Sequence, residues 1–102
     1  MTFEELYAII QERAKSPPKG SYTASLTNEG IDRVAQKVGE EAVEVVIASK
    51  NDDKELLIGE MADLIYHLQV LMNLKDISPT DIQQLLAQRH TKLSNTNIRE
   101  VK

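Results

Sequence analysis

The 102-residue chain has no cysteine, which excludes disulfides, iron–sulfur clusters, thiolate zinc sites and cysteine nucleophiles. It has only two histidines, His67 and His90, so a three-histidine zinc centre is excluded too. Any metal must be held mainly by oxygen, which points to Mg2+, Mn2+ or Ca2+. Positive charge is scarce. Twelve Lys and Arg against 16 Asp and Glu leave a net charge of -4, and general nucleic-acid binding wants a basic face. No apolar run approaches the ~20 residues of a membrane span. Met1-Thr2-Phe3-Glu4-Glu5 is acidic and lacks the basic and then apolar order of a secretory signal. The expectation is a cytoplasmic protein with neither nucleic acid nor membrane as a partner.

What is present is helical. Thr2-Phe3-Glu4-Glu5 fits a capping box, and Leu6, Ile9 and Ile10 follow at helical spacing, which predicts a helix over about 3–15. Ser16-Pro17-Pro18-Lys19-Gly20-Ser21-Tyr22-Thr23 cannot continue it, and an irregular stretch is expected to about Asn28. A second helix is predicted over about 28–50, with a stripe of Ile31, Val34, Ala35, Val38, Ala42, Val45 and Val46. Asp52 with Glu55 caps a third, over about 53–74, apolar on most of its circumference and so expected to be buried on more than one side. Ser78-Pro79-Thr80-Asp81 starts a fourth, whose pattern fades after His90. No strand alternation occurs, so the fold class is all-α, a four-helix bundle-like domain over 1–90 with a tail at 91–102. A domain this short buries only about 60–65% of its unfolded surface. Val43 and Ile47 on the far side of the second helix, and the apolar third helix, therefore predict a homodimer or larger assembly.

Two acidic clusters carry the chemistry. Glu41 and Glu44 in the second helix, and Glu60 and Asp63 in the third, are each three residues apart and so share a helix face. Folding the two helices back about residue 52 sets Glu44 level with Glu60 and Glu41 level with Asp63, about 12 Å from the turn at 1.5 Å per residue. Two like charges about 4 Å apart repel by about 4 kcal/mol at an effective dielectric near 20. A divalent cation reverses that sign, and Mg2+ bound to carboxylates leaves room for water and phosphate. A solvated acidic face is the plainer reading. It suits Glu40 best, and suits Glu60 and Asp63 least, because their helix is otherwise apolar.

Basic and hydroxyl groups lie nearby. Lys37 falls level with His67, placed either to hold phosphate or simply to pair with Glu41. His67 is either a phosphate contact or a hydrogen-bonded core histidine. Arg33 shares the side of the second helix, and Lys19 to Thr23 offer a cation, a flexible backbone and three hydroxyls suited to phosphate.

Ser21-Tyr22-Thr23-x-x-Leu26 followed by Gly30-x-x-Arg33-x-x-Gln36-Lys37-Val38-Gly39-Glu40-Glu41-Ala42-Val43-Glu44 resembles the phosphoribosyl-ATP pyrophosphohydrolases. Ala62-Asp63-Leu64-Ile65-Tyr66-His67-Leu68 and Arg89-His90 do so as well. That family is grouped with the MazG-like all-α nucleotide pyrophosphatases, which share E-E-x-x-E followed by E-x-x-D. The resemblance implies the second step of histidine biosynthesis, in which phosphoribosyl-ATP and water give phosphoribosyl-AMP and pyrophosphate. It implies Mg2+, with Mn2+ as a substitute, on Glu41, Glu44, Glu60 and Asp63. Glu40 matches the first motif glutamate, and Glu40, Glu41, Glu44 and Lys37 form the implied catalytic group. Ser21, Tyr22, Thr23, Arg33, Lys37 and His67 form the substrate-binding group. No cyclohydrolase domain precedes the first helix, so the stand-alone form is expected. Two other functions stay open: a pyrophosphatase acting on another nucleotide, and a non-catalytic helical interaction module.

Overall fold

The computed structural model describes residues 1–95, with side chains through His90. It contains α1 (Phe3–Lys15), α2 (Tyr22–Glu29), α3 (Ile31–Ala48), α4 (Lys54–Leu74) and α5 (Pro79–Asn95), and the described residues include no strand. Thr2 opens α1 with the expected capping box: its hydroxyl accepts from the Glu5 N–H at 3.0 Å, and the Glu5 carboxylate accepts from the Thr2 N–H at 2.8 Å. Ser78 and Asp81 exchange the same pair of bonds at the start of α5.

Four expectations need correction. The 16–28 stretch is not irregular throughout, because Ser21 caps an extra helix, α2, by accepting from the Ala24 N–H at 3.2 Å. An eight-residue helix rich in Ser, Thr and Asn has little propensity of its own, and it is Leu26, 1% exposed, that anchors it. Second, α3 begins at Ile31 because Gly30, at φ 92°, turns the chain sharply between α2 and α3. A side chain at that φ would carry about 1–3 kcal/mol of strain. Third, Asp53 rather than Asp52 caps α4, accepting from the Leu56 N–H at 3.0 Å, because the turn closing α3 runs on through Asn51. Fourth, α5 continues past His90 to Asn95. The rest of the expected tail lies outside the described residues.

The stripe of α3 is covered in part, at Val34, Val38, Ala42 and Val45. Ile31, Ala35 and Val46 are exposed, and the covered line is Val34, Val38, Glu41, Val45 and Ala48, at alternating spacings of four and three. On α4 the facing line is Leu57, Glu60, Leu64, His67 and Leu71. These two seams meet in the principal helix–helix contact of the molecule.

Above that hairpin, α1 and α2 close the core, to which Ile10, Leu26, Val34 and Val70 contribute one side chain from each of α1 to α4. The outer helix α5 leans on α1, where the Gln83 amide donates to the Glu4 carboxylate. It leaves an apolar groove of about 410 Å3 against α4, lined by Leu68, Met72, Ile82 and Leu86 among others. Helix α4 is therefore not covered all round: Ile58, Met61 and Leu68 stay exposed, as do Val43 and Ile47 of α3. The radius of gyration, 15.5 Å, exceeds the ~13 Å of a compact chain this long.

Truncating Leu26 to alanine should cost about 3 kcal/mol in urea unfolding, since the site is closed on all sides and the cavity cannot collapse freely. A loss below about 1 kcal/mol would mean that α2 is not held by this contact.

Candidate functional site

The α3–α4 seam places two glutamates where a packed hairpin would ordinarily put leucine. Glu41 is 7% exposed, and Glu60 is half-buried. Asp63, one turn along α4 from Glu60, is exposed but joins them: one carboxylate oxygen from each of Glu41, Glu60 and Asp63 lies within 4.8 Å of the others. At that separation each pair repels by about 3–4 kcal/mol at an effective dielectric near 20. Relief within the chain is small. Among the described residues, the cation paired with the cluster is Lys37, whose ammonium is 3.4 Å from Glu41 Oε1. Glu41 Oε2 and Glu60 Oε2 are buried with no hydrogen-bond partner. Buried carboxylate oxygens are normally satisfied, and these two are the site's chief anomaly. A donor set made wholly of carboxylate oxygen, carrying excess negative charge, suits Mg2+ or Mn2+.

The expected level pairing holds for Glu41 with Asp63 but not for Glu44 with Glu60. Glu44 is one residue off the seam and exposed, outside the cluster of three. It lies instead on an open groove along the outer face of α3 with Gln36, Lys37, Glu40, Val43 and Ile47. Glu40 is exposed as its wheel position predicts, and it pairs with Lys37 at 3.8 Å and with Arg33 at 3.9 Å. Arg33 also reaches Glu29 at 3.8 Å. Lys37 thus stands between the cluster and the groove. Burial works against its charge, but the hydrogen bond to Glu41 and the charges of Glu40 and Glu41 outweigh that, and its pKa is raised. The paired ammonium favours folding at every pH below the ordinary lysine value, and that contribution is lost only as pH rises through the raised one.

The hydroxyls of the Ser21–Thr23 segment have roles that the sequence did not reveal. Thr23 is 4% exposed, with its hydroxyl bonded to that of Tyr66, so it is closed to a ligand. His67, 6% exposed, has Nδ1 2.7 Å from the Asp63 carbonyl. A carbonyl only accepts, so Nδ1 carries a proton, and in the neutral ring Nε2 accepts from the Tyr22 hydroxyl at 3.2 Å. The buried, hydrogen-bonded alternative for His67 is the one observed. Ser21 accepts at its cap and retains an O–H to donate. Tyr66 was not singled out from the sequence. The pattern offered one cue, an aromatic three residues after Asp63 on the same helix.

The family model of phosphoribosyl-ATP pyrophosphohydrolase matches residues 3–90. A phosphoribosyl-ATP pyrophosphatase of Clostridium acetobutylicum is 50% identical over 91 residues, 89% of this chain and 83% of that protein. One from Saccharolobus solfataricus is 52% identical over 86 residues, 84% and 92% of the two chains. One from Pelotomaculum thermopropionicum is 48% identical over 90 residues, 88% and 92%. With the match spanning both carboxylate helices and the Ser21–Thr23 segment, the chain belongs to the phosphoribosyl-ATP pyrophosphohydrolase family.

Proposed function

We propose that the protein hydrolyses phosphoribosyl-ATP to phosphoribosyl-AMP and pyrophosphate, the second step of histidine biosynthesis, in a Mg2+-dependent reaction. Family membership supports the reaction, and the observation that carries the site is the pair of partnerless buried oxygens on Glu41 and Glu60. Glu41, Glu60 and Asp63 would hold the ion, and Glu44, exposed and one turn from Glu41, is free to turn toward it. When bound, Mg2+ (or Mn2+ in its place) supplies charge neutralisation for the triphosphate and the reacting phosphorus.

The chain's own groups do the rest. Lys37 and Arg33 present cations along the open face of α3, where the triphosphate would lie, and Ser21 donates a hydroxyl to a phosphate oxygen. Water attacks the phosphorus next to the ribose 5′-oxygen. A new P–O bond forms to water, the bond between the first and second phosphates breaks, and pyrophosphate leaves with the electron pair. A carboxylate of the Glu40–Glu44 group takes the water's proton. Holding these groups in line is the main catalytic contribution.

No helix among the described residues is long and apolar enough to cross a membrane. We place the enzyme in the cytoplasm as a homodimer or larger homo-oligomer. Val43 and Ile47 on α3, and Ile58 and Met61 on α4, are large, apolar and exposed, and a second copy would cover them, bordering the α3 groove so that the triphosphate lies between the copies. Light scattering at micromolar concentration should give at least twice the chain mass, and a monomer with intact helicity would refute this.

Glu60→Gln tests the carboxylate site. Without metal its melting temperature should hold or rise, because a partnerless buried charge is gone. Mg2+ at 100 times its Kd should add about 2.7 kcal/mol to the wild type, and little to the variant. Pyrophosphate release from phosphoribosyl-ATP should fall at least about 100-fold. Near-normal release with an undiminished Mg2+ shift would leave a solvated acidic face as the better reading. ATP as substrate alongside phosphoribosyl-ATP separates this activity from that of a pyrophosphatase for another nucleotide. Lys37→Ala strips the cation from buried Glu41 and should cost up to about 3 kcal/mol of stability without metal, and in the Mg2+-loaded, folded enzyme it should lower kcat/KM about 10-fold or more. Wild-type kinetics in that variant would reduce Lys37 to a surface pair.

A further inference from the structure

Two side-chain hydrogen bonds join the first turn of α2 to α4: Tyr22 to His67, and Thr23 to Tyr66. They differ in setting. Tyr22 is 53% exposed, whereas the Thr23–Tyr66 bond is closed off, Thr23 being 4% exposed and Tyr66 packed on the core formed by Ile10, Leu26, Val34 and Val70. Tyr66 also organises the rings around it. It stacks on Tyr22, with centroids 6.2 Å apart and planes at 27°, and stands edge-on to His67 at 5.0 Å and 87°. One side chain therefore touches each of the three groups that fix the Ser21–Thr23 segment, while its own position on α4 is three residues from Asp63.

We propose that Tyr66 is a positioning residue for substrate binding: its hydroxyl, through Thr23, sets the Ser21–Thr23 turn at a fixed place beside the carboxylate cluster. This rests on the reading of that turn and that cluster as one substrate site. Helix α2 is too short to hold itself in register, so its first turn is only as well placed as the side chains that tie it down. A turn that must settle on each binding event weakens affinity without altering the groups at the reacting phosphorus. Tyr66 therefore acts on KM.

Tyr66→Phe keeps the ring and removes the hydroxyl. It should raise KM for phosphoribosyl-ATP about 5- to 10-fold, leave kcat within about 2-fold, and leave the Mn2+ affinity of the apoprotein unchanged. It also strands the buried Thr23 hydroxyl, so its melting temperature should fall. The double variant Tyr66→Phe/Thr23→Val removes both partners and strands nothing. Its melting temperature should return close to wild type while KM stays raised, and that separation is what a purely structural role does not produce. Wild-type KM in Tyr66→Phe, recovery of KM together with melting temperature in the double variant, or a fall in kcat at constant KM would each overturn the proposal. Glu60→Gln in the same assay reports on the carboxylate site by itself. Lost activity there with wild-type KM in Tyr66→Phe sinks only the positioning role, and retained activity there sinks the site reading.

Discussion

Two buried carboxylate oxygens with no partner, one on Glu41 and one on Glu60, set the terms for the rest of this molecule. They occupy seam positions in the α3–α4 hairpin, flanked along each helix by Val38 and Val45 and by Leu57 and Leu64. A chain selected only to fold would fill both positions with aliphatic side chains, gain apolar burial and lose the repulsion. Retaining carboxylates there breaks a local rule in the way functional sites do, and a cation is the group that supplies the compensation. Lys37 supplies part of it, reaching Glu41 alone of the three cluster members among the described ion pairs. The remaining negative charge has no partner among the described ion pairs, and it is what the proposed divalent ion would neutralise.

That constraint explains the division of labour among the helices. The α3–α4 hairpin carries the charged groups and is rigid because it forms the principal contact of the fold. Helices α1 and α2 are recruited to the far end of the same hairpin, where Val34 and Val70 are wholly buried in an apolar cluster with Ile10 and Leu26. The carboxylate cluster sits midway along the hairpin, two helical turns from Val34 and Val70, so its repulsion acts on the principal contact itself and the apolar core toward the two ends offsets it. The segment from Ser21 to Thr23 bridges core and cluster, with Leu26 in the core and Tyr22 bonded to the histidine one turn beyond Asp63.

Much of this was legible in the sequence, for reasons that can be named. The capping box at Thr2 and the helix start at Ser78 are local chemistry, decided by the residue and its near neighbours, and both formed as read. Helix periodicity located both carboxylate helices and set Glu41 against Asp63. The register between helices was less legible, because an apolar count does not say which of two adjacent stripes is buried. Folding the hairpin about residue 52 set Glu44 level with Glu60, but level is not facing: the covered line runs through Glu41 and leaves Glu44 outside. Helix α2 was missed because it is a tertiary helix. Its Ser, Thr and Asn residues favour caps and turns, and only the burial of Leu26 tips them into a helix. The hydroxyls of Tyr22 and Thr23 looked like phosphate donors because composition shows that a hydroxyl is present but not that its hydrogen bond is already spent.

The spent hydroxyls change how the site should be understood. A phosphate needs donors, and of the three hydroxyls in the segment that of Ser21 is open to it: Tyr22 donates to His67 when the ring is neutral, and Thr23 is buried against Tyr66. Tyr22 and Thr23 contribute by fixing where Ser21 and the first backbone N–H groups of α2 stand. Across the site, charge comes from α3 and α4, and direction comes from α2, held by side chains rather than by its own helical stability. The proposed substrate site requires both, because a donor that must be settled into place on each binding event gives back part of the affinity. A short helix tied by buried hydrogen bonds to the helix that carries the metal-type ligands meets that requirement, and a longer, self-sufficient helix free to slide along the hairpin would not.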